Sequence, residues 1–208
     1  MALSTFVKVG NIDNLSDARY CAGMYVNLLG FNLEENHSDY IDPEKFKEIT
    51  NWLSGLDYVA EFEFAHPQNI LEQLKSYPSI KWIQIQEEAH IQMLLNTSYQ
   101  LIFRVVLRDS TELEALISKS QSFKDQNVII LLESEKMELD EASIPLIKEL
   151  AASAPVLLGF GIHEDNVQEM IQATKAKGIA LSGSKEIKPG LKDFDQLADI
   201  LEVLEEGD

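Results

Sequence analysis

Short runs of apolar residues alternate along the whole chain with longer amphipathic segments. Eight such runs are bounded by polar or turn-forming residues, and amphipathic segments with helical periodicity lie between them. They cover residues 6–10, 25–30, 58–64, 81–85, 101–106, 127–132, 155–159 and 178–181. Their spacing of roughly 25 residues is that of a strand, a loop, a helix and a second loop. The pattern therefore predicts parallel strands joined by helices.

Helix-capping residues precede several of the amphipathic segments: Asn14, Asp42 with Pro43 after it, Ser110 and Asp193. A side-chain oxygen at such a position accepts a hydrogen bond from the first helical turn, and proline suits the first helical position. Eight strand–helix units in 208 residues favour closure into a (β/α)8 barrel, the TIM barrel, over an open doubly wound sheet. No linker-like segment interrupts the pattern, so residues 1–208 are predicted to form a single domain.

The charge of the chain narrows the classes of partner. It carries 35 acidic and 17 basic residues, a formal net charge of −18. Such a surface repels nucleic acid and anionic lipid headgroups, so neither is expected as a partner. No apolar run reaches the length of a membrane span, and no signal peptide is recognisable. With Cys21 as its only cysteine, the chain is expected in the cytoplasm.

Two turns of small residues follow the last two predicted strands. The first contains Gly159 and Gly161, and the second is formed by Ser182, Gly183 and Ser184. Each is expected to open toward a helix, so that backbone N–H groups and helix ends favour an anion. In a barrel, such paired turns form a phosphate site, which implies a phosphorylated small molecule as ligand. The simpler interpretation is that small residues only turn the chain.

Charged residues stand inside or directly after otherwise apolar strands. Glu133 ends the sixth strand region, where its carboxylate is either a general acid at the barrel mouth or a solvated loop acid. Glu61, Glu63 and Arg104 lie within strands, where an isolated charge is costly to bury. We therefore expect an interior Glu–Arg pair across the third and fifth strands, and a ligand-contacting role is the second interpretation.

Other kinds of chemistry find little support. The histidines at positions 37, 66, 90 and 163 lack the short spacing of metal ligands, so no metal site is predicted. The serines lack a nucleophile-elbow context, so no Ser-His-Asp arrangement can be inferred. Cys21, in the first helix region, is expected to pack as a small apolar residue. No cofactor is predicted.

Several segments resemble motifs of the phosphoribosylanthranilate isomerase family. VKVGNIDNLSDA at residues 7–18 is similar to K-I-C-G-I-T-x-x-x-D-A, LLGF at 28–31 contains the family's L-G-F, and IQIQEE at 83–88 is similar to V-Q-L-H-G-x-E. LGFGIHEDNV at 158–167 resembles A-G-G-L-x-P-E-N-V. SGSKE at 182–186 and PGLKD at 189–193 resemble S-S-G-V-E and P-G-x-K-D. The resemblance covers essentially the whole chain and supports the barrel.

The resemblance also implies a reaction, the Amadori rearrangement of N-(5′-phosphoribosyl)anthranilate in tryptophan biosynthesis. The family's cysteine base corresponds to Gly10, which has no side chain, and its aspartate acid corresponds to Glu133. The substrate-holding arginine of S-P-R-Y corresponds to Asp39, and the second glycine of A-G-G-L is Phe160, which is expected to crowd the phosphate turn. The family's G-G-T-G loop is replaced by the acidic residues 135–141.

Three hypotheses for function follow. The first is a divergent homologue that retains part of the phosphate site and has lost or changed the reaction. The second is a weak but genuine isomerase with Glu133 as acid and Asp13 or a water as base. The third is a non-catalytic barrel whose acidic loop recruits a basic partner. In each case the chain is expected to be a monomer or a homodimer.

Overall fold

Eight parallel strands form a closed barrel in which each strand pairs with the next in chain order and the last pairs with the first. The computed structural model describes residues 2–183, 186–188, 191–192 and 195–205. The strands are β1 (Phe6–Gly10), β2 (Leu28–Asn32), β3 (Asp57–Glu61), β4 (Ile80–Ile85), β5 (Gln100–Val106), β6 (Ile129–Glu133), β7 (Val156–Leu158) and β8 (Gly178–Ser182). The predicted single-domain (β/α)8 barrel is confirmed.

Helices surround the barrel: α1 (Leu15–Gly23), α2 (Pro43–Thr50), α3 (Pro67–Gln73), α4 (Ile91–Leu94), α5 (Ser110–Asp125), α6 (Ser143–Ser153), α7 (Val167–Thr174) and α8 (Asp195–Val203). Asn14 and Asp42 cap α1 and α2 through side-chain hydrogen bonds, as predicted. The cap of α5 is Asp109 instead of Ser110, which is the first helical residue. The predicted cap Asp193 lies outside the described residues. Of the helices described, none combines the length and apolarity that a membrane crossing requires.

The strand boundaries differ from the predicted ones where turn geometry intervenes. β2 begins at Leu28, three residues later than expected, because Tyr25 adopts a left-handed φ of +59° in the turn that ends α1. An extended strand cannot include that conformation. β3 ends at Glu61, and the chain beyond it is held by Glu34, whose Oε2 accepts hydrogen bonds from the N–H groups of residues 63–65 at 2.9–3.3 Å.

Alternation along the strands separates two apolar cores. One lies inside the barrel and includes Leu28, Val59, Trp82, Ile102 and Leu131. The other lies between the strands and the helices, where Tyr58, Ala60 and Phe62 of the third strand region pack. Because side chains alternate between faces, the residues Glu61 and Glu63 follow Val59 on the interior side. The charged residues of the third strand region therefore point into the barrel.

The chain after β8 differs from expectation. Two short antiparallel strands, β9 (Glu186–Lys188) and β10 (Leu191–Lys192), precede α8. The turn after β8 is predicted to open toward a helix, but the described residues there form a two-stranded antiparallel sheet. Pro189 and Gly190 in this segment disfavour a helix. The helix-end contribution to a phosphate site is therefore missing from the described part of this loop.

Cys21 is fully buried in the core between the strands and the helices, which confirms that it packs as a small apolar residue. Burial raises the pKa of its thiol to about 12, with a smaller contribution from the charge of Asp17. The reactive form of cysteine is the thiolate. In the folded protein this form is nearly absent near neutral pH.

We expect iodoacetamide to alkylate Cys21 at pH 8 about 10³-fold more slowly in the folded protein than in urea, because the unfolded thiol has its ordinary pKa. Mass spectrometry of quenched time points measures both rates. Folded and unfolded rates within about tenfold of each other would contradict the buried, protonated thiol.

Candidate functional site

A cavity of about 610 Å³ opens at the carboxyl ends of the barrel strands. Every strand, or the residue just after it, contributes to its wall; the contributors include Lys8, Asn32, Glu61, Gln84, Arg104, Glu133, Gly159 and Ser182. This is the end of a (β/α)8 barrel at which active sites lie. The cavity is therefore the candidate active site, and we refer to it as the mouth cavity.

A buried ion pair lies at one side of the mouth cavity. The Lys8 ammonium donates to Glu61 Oε1, and both side chains are almost completely shielded from solvent, with exposed fractions of 3% and 8%. Glu61 Oε2 accepts a hydrogen bond of 3.0 Å from the backbone N–H of Asn11. A buried charge is tolerated when it is paired and its hydrogen bonds are satisfied. The Glu61 carboxylate is therefore fixed in place by partners on both oxygens.

Two glycines make room for this carboxylate. A Cβ atom at Gly10 would lie 2.6 Å from Glu61 Oε1, and one at Gly30 would lie 2.5 Å from Glu61 Cδ. Real Cβ atoms essentially never approach other atoms so closely. Gly10 has no side chain of its own, as the sequence indicated, but the space beside it holds the Glu61 carboxylate. Sequence reasoning missed this, although a glutamate within an apolar strand and glycines in both preceding strands were visible.

Arg104 connects three side chains at the other side of the mouth cavity. Its Nη1 donates to Glu63 Oε1 and Gln86 Oε1, both at 2.9 Å. Its Nε and Nη2 donate to Glu133 Oε2 at 2.9 and 2.8 Å. Burial lowers the pKa of the guanidinium, but the hydrogen bonds and charges of Glu133 and Glu63 outweigh burial and raise it overall. The expected interior Glu–Arg pair is present, and it extends to Glu133.

The position of Glu133 fits a proton-transfer role only in part. Both bonds from Arg104 end on Oε2, so within the described residues Oε1 is the oxygen left to carry a proton to a ligand. The Cγ of Glu133 also packs against Gly159, where an added Cβ would lie 2.9 Å away. Glu133 is thus a fixed member of the Arg104 cluster at the cavity wall, and its assignment as general acid stays a prediction.

The mouth cavity carries an excess of negative charge. Its lining includes five carboxylates, from Asp39, Glu61, Glu63, Glu133 and Glu135, and two permanent cations, from Lys8 and Arg104. Both cations already have carboxylate partners. The described lining therefore offers no unpaired lysine or arginine to an anionic ligand group. Asp13, one of the alternatives for a base, is not among the described lining residues.

Among the described residues that line the mouth cavity, the side-chain oxygen of Gln84 is a buried acceptor without a partner. Gln84 is buried next to Glu61 in the register of β3 and β4, and its Oε1 has no hydrogen-bond partner. The side chain lines the mouth cavity. An unsatisfied buried acceptor is costly. A hydroxyl or amino group of a ligand is a suitable donor to it.

The first predicted phosphate turn and Ser182 of the second line another cavity of about 310 Å³, here called the second cavity, which shares Gly159 and Ser182 with the mouth cavity. Gly161 adopts a left-handed φ of +66° that favours glycine. The N–H groups of Gly159 and Gly183 already donate to Leu132 O and Gly10 O, each at 2.7 Å. An anion there must therefore use other donors, such as the Ser182 hydroxyl.

Two further observations bear on the phosphate prediction. Phe160 is buried in the core between the strands and the helices and also lines the second cavity, and its crowding of the phosphate turn stays a prediction. Ser184, the last member of the predicted phosphate set, lies outside the described residues. Phosphate binding by Gly159, Gly161, Ser182, Gly183 and Ser184 stays a prediction.

The acidic loop after β6 has a structural role in part. Asp140 Oδ1 accepts hydrogen bonds from the N–H groups of Ala142 and Ser143 at 3.0 and 2.8 Å. The hydrogen bonds from Ser143 are the main reason that the pKa of Asp140 is lowered. Asp140 therefore stabilises the start of α6, and this aspartate needs no partner protein to explain it.

No group of three or more His, Cys, Asp or Glu side chains in the described part of the chain is arranged to hold a metal ion. His66 and His90 contact each other edge to face, with ring centroids 5.7 Å apart. His37 and His163 line the mouth cavity and the second cavity, respectively. The predicted absence of a metal and of a cofactor stays a prediction.

Comparison with known proteins identifies the family. Residues 7–203 match the family described as N-(5′-phosphoribosyl)anthranilate (PRA) isomerase. The chain belongs to this family. It is 22% identical over 205 residues to the PRA isomerase of Sulfurihydrogenibium sp. strain YO3AOP1, covering 95% of this chain and 98% of the relative. It is 24% identical over 200 residues to that of Nitrosomonas eutropha, covering 92% of each.

Solved structures agree with the fold. The PRA isomerase of Thermotoga maritima superposes with a TM-score of 0.78 at 20% identity, and that of Thermus thermophilus with 0.75 at 22% identity. Each comparison covers 96% of this chain and 98% of the other. The Thermotoga maritima protein is described as dimeric. For the present member of the PRA isomerase family, monomer or homodimer stays a prediction.

We expect Gly30→Ala to lower the free energy of unfolding by about 1–3 kcal/mol, because the new methyl group overlaps the Glu61 carboxylate. Chemical denaturation measures the change. In a Glu61→Ala background the same substitution should cost much less, since the obstructing group is gone. Equal costs in the two backgrounds would show that the carboxylate does not lie over Gly30.

We expect Lys8→Met alone to destabilise the fold by about 3–5 kcal/mol, because it leaves the Glu61 carboxylate buried without its cation. Lys8→Met combined with Glu61→Leu should restore most of this loss, since an apolar pair of similar volume needs no charge compensation. Urea unfolding of the two variants and the wild type measures the effect. A double variant less stable than Lys8→Met would contradict the pairing.

Proposed function

We propose that this member of the PRA isomerase family binds a phosphorylated ribosylamine-type substrate whose amine substituent is not an anion, and that its activity on PRA is weak or absent. The observation that carries the proposal is the charge of the mouth cavity, with five carboxylates and two cations that are both already paired. Like charges brought together in a partly desolvated site cost several kcal/mol. Such a lining favours a neutral or cationic substituent over anthranilate.

The phosphate end of the substrate is assigned to the second cavity. Its position next to the mouth cavity, with Gly159 and Ser182 in both walls, supports a ligand that spans the two. The Ser182 hydroxyl accepts a hydrogen bond of 2.9 Å from Asn11 Nδ2, which leaves its own proton for an anion. A phosphorylated small molecule is the proposed partner, and the cytoplasm is the proposed location.

A weak but genuine PRA isomerase is the second candidate. One observation favours it: carboxylates stand both at the place of the family's acid, in Glu133, and beside the place of its base, at Gly10. A positioned acid and base contribute typically about 10²–10⁴ in rate each. The two candidates differ in which amine substituent the mouth cavity accepts.

We expect the purified protein to turn over N-(5′-phosphoribosyl)aniline with a kcat/KM at least about tenfold above that for PRA, because the two substrates differ only in the carboxylate that the mouth cavity repels. Asp39→Asn removes one of the repelling charges and should narrow the ratio. Glu72→Gln, an exposed change on α3 outside the described lining of the mouth cavity, is the control. A preference for PRA would overturn the proposal in favour of the second candidate.

Complementation of a tryptophan auxotroph that lacks PRA isomerase gives an independent test. We expect no robust growth at normal expression. Introducing the family's residues as Gly10→Cys and Asp39→Arg requires Glu61→Ala as well, because a Cβ at Gly10 would lie 2.6 Å from Glu61 Oε1. The triple variant should grow better than the variant that retains Glu61. Robust growth of the wild type would contradict the proposal.

A further inference from the structure

We infer that Glu61 is the proton acceptor of this barrel, standing in for the side chain that Gly10 lacks. The inference rests on the proposed function and names the base at the same site. The Oε1 atom of the Glu61 carboxylate lies 2.6 Å from the point at which a Cβ of residue 10 would sit. A cysteine, with one heavy atom beyond Cβ, would place that atom in the same region. The base has moved from β1 to the facing position of β3.

The surroundings of Glu61 suit a base held ready for a ligand. The side chain lies in the wall of the mouth cavity, so a ligand there meets it although solvent scarcely does. Hydrogen bonds to Lys8 Nζ and to the N–H of Asn11 fix its rotation. A carboxylate that is already held in one orientation loses little further conformational entropy when the substrate binds. Lys8 and Asn11 are positioning groups in this scheme.

The chemical step balances without a further reactant. Glu61 forms an O–H bond to the C2 hydrogen of the substrate while the C2–H bond breaks. The electron pair of that bond forms C1=C2, and the π pair of the neighbouring C1=N or C1=O bond moves to nitrogen or oxygen. The proton on Glu61 afterwards returns to carbon or exchanges with solvent. Nothing is oxidised or reduced overall.

Lys8 gives this step an electrostatic advantage. In the resting state its charge is balanced by Glu61. When Glu61 takes a proton, negative charge moves to the substrate, and the buried ammonium remains close to it. A fixed cation near developing negative charge stabilises the transition state without reorganisation. The ion pair therefore both holds the base and compensates the charge that leaves it.

The test uses D-ribose 5-phosphate as the probe in D₂O, with deuterium incorporation at C2 followed by NMR and binding followed by calorimetry. We expect Glu61→Gln, which keeps the shape of the side chain, to lower the exchange rate by at least about 10²-fold. The Kd for the probe should stay within about threefold of the wild-type value, because Glu61 does not line the second cavity, to which the phosphate is assigned. Glu61→Asp should retain more exchange than Glu61→Gln, and Glu72→Gln should match the wild type.

Chemical rescue separates a base from a structural group. Glu61→Ala opens space beside Gly10, and added formate should restore exchange in this variant in a concentration-dependent way while leaving the wild type unaffected. Exchange in Glu61→Gln within about fivefold of the wild type would overturn the assignment. Binding of the probe by the wild type without any exchange would also overturn it and would leave the proposed ligand class standing. Failure of the wild type to bind the probe would overturn the proposed function, and the assignment with it.

Discussion

A carboxylate and an ammonium buried together inside the barrel impose the central constraint on this protein. Glu61 and Lys8 contact each other inside the barrel because β1 and β3 both direct these side chains inward. Removing the charges from water is costly, so each needs its partner and the remaining hydrogen bonds must be made. The N–H of Asn11 supplies one of them. Glycines at positions 10 and 30 follow from the same requirement, since any side chain there would occupy the volume of the carboxylate.

The Arg104 cluster solves a similar problem one layer closer to solvent. Its guanidinium satisfies Glu63, Gln86 and Glu133 at once, and planar guanidinium geometry suits several acceptors. Lys8 and Arg104, the two permanent cations in the described lining of the mouth cavity, are thus both paired with carboxylates. The polarity of the rest of the cavity wall is set by carboxylates and by the unpartnered Oε1 of Gln84. The selectivity proposed for the site is thus a consequence of how buried charges had to be balanced.

Periodicity predicted most of the fold, because strand and helix repeats depend on local alternation that one sequence displays. The boundaries of β2 and β3 were wrong by a few residues, since the left-handed Tyr25 and the loop held by Glu34 depend on turn geometry. The two-stranded sheet of β9 and β10 was also not predicted. For the site, the sequence placed Glu133 and the glycine turns at the strand ends. The contact between Glu61 and Gly10 was not predicted. It brings together strands about 50 residues apart in the chain, and it depends on the conformation of a side chain.

The crowding around Gly10 also restricts which substitutions this site tolerates. A cysteine introduced at position 10 while Glu61 is present must displace a buried carboxylate from its cation. The stability of the single variant is therefore lowered. Losing Glu61 first leaves Lys8 buried without its counter-charge. Each single change is expected to lower stability, because the first displaces a buried carboxylate and the second leaves a buried ammonium uncompensated. A side chain at position 10 is therefore coupled energetically to the residues at positions 8 and 61, so these three positions can be exchanged only as a set.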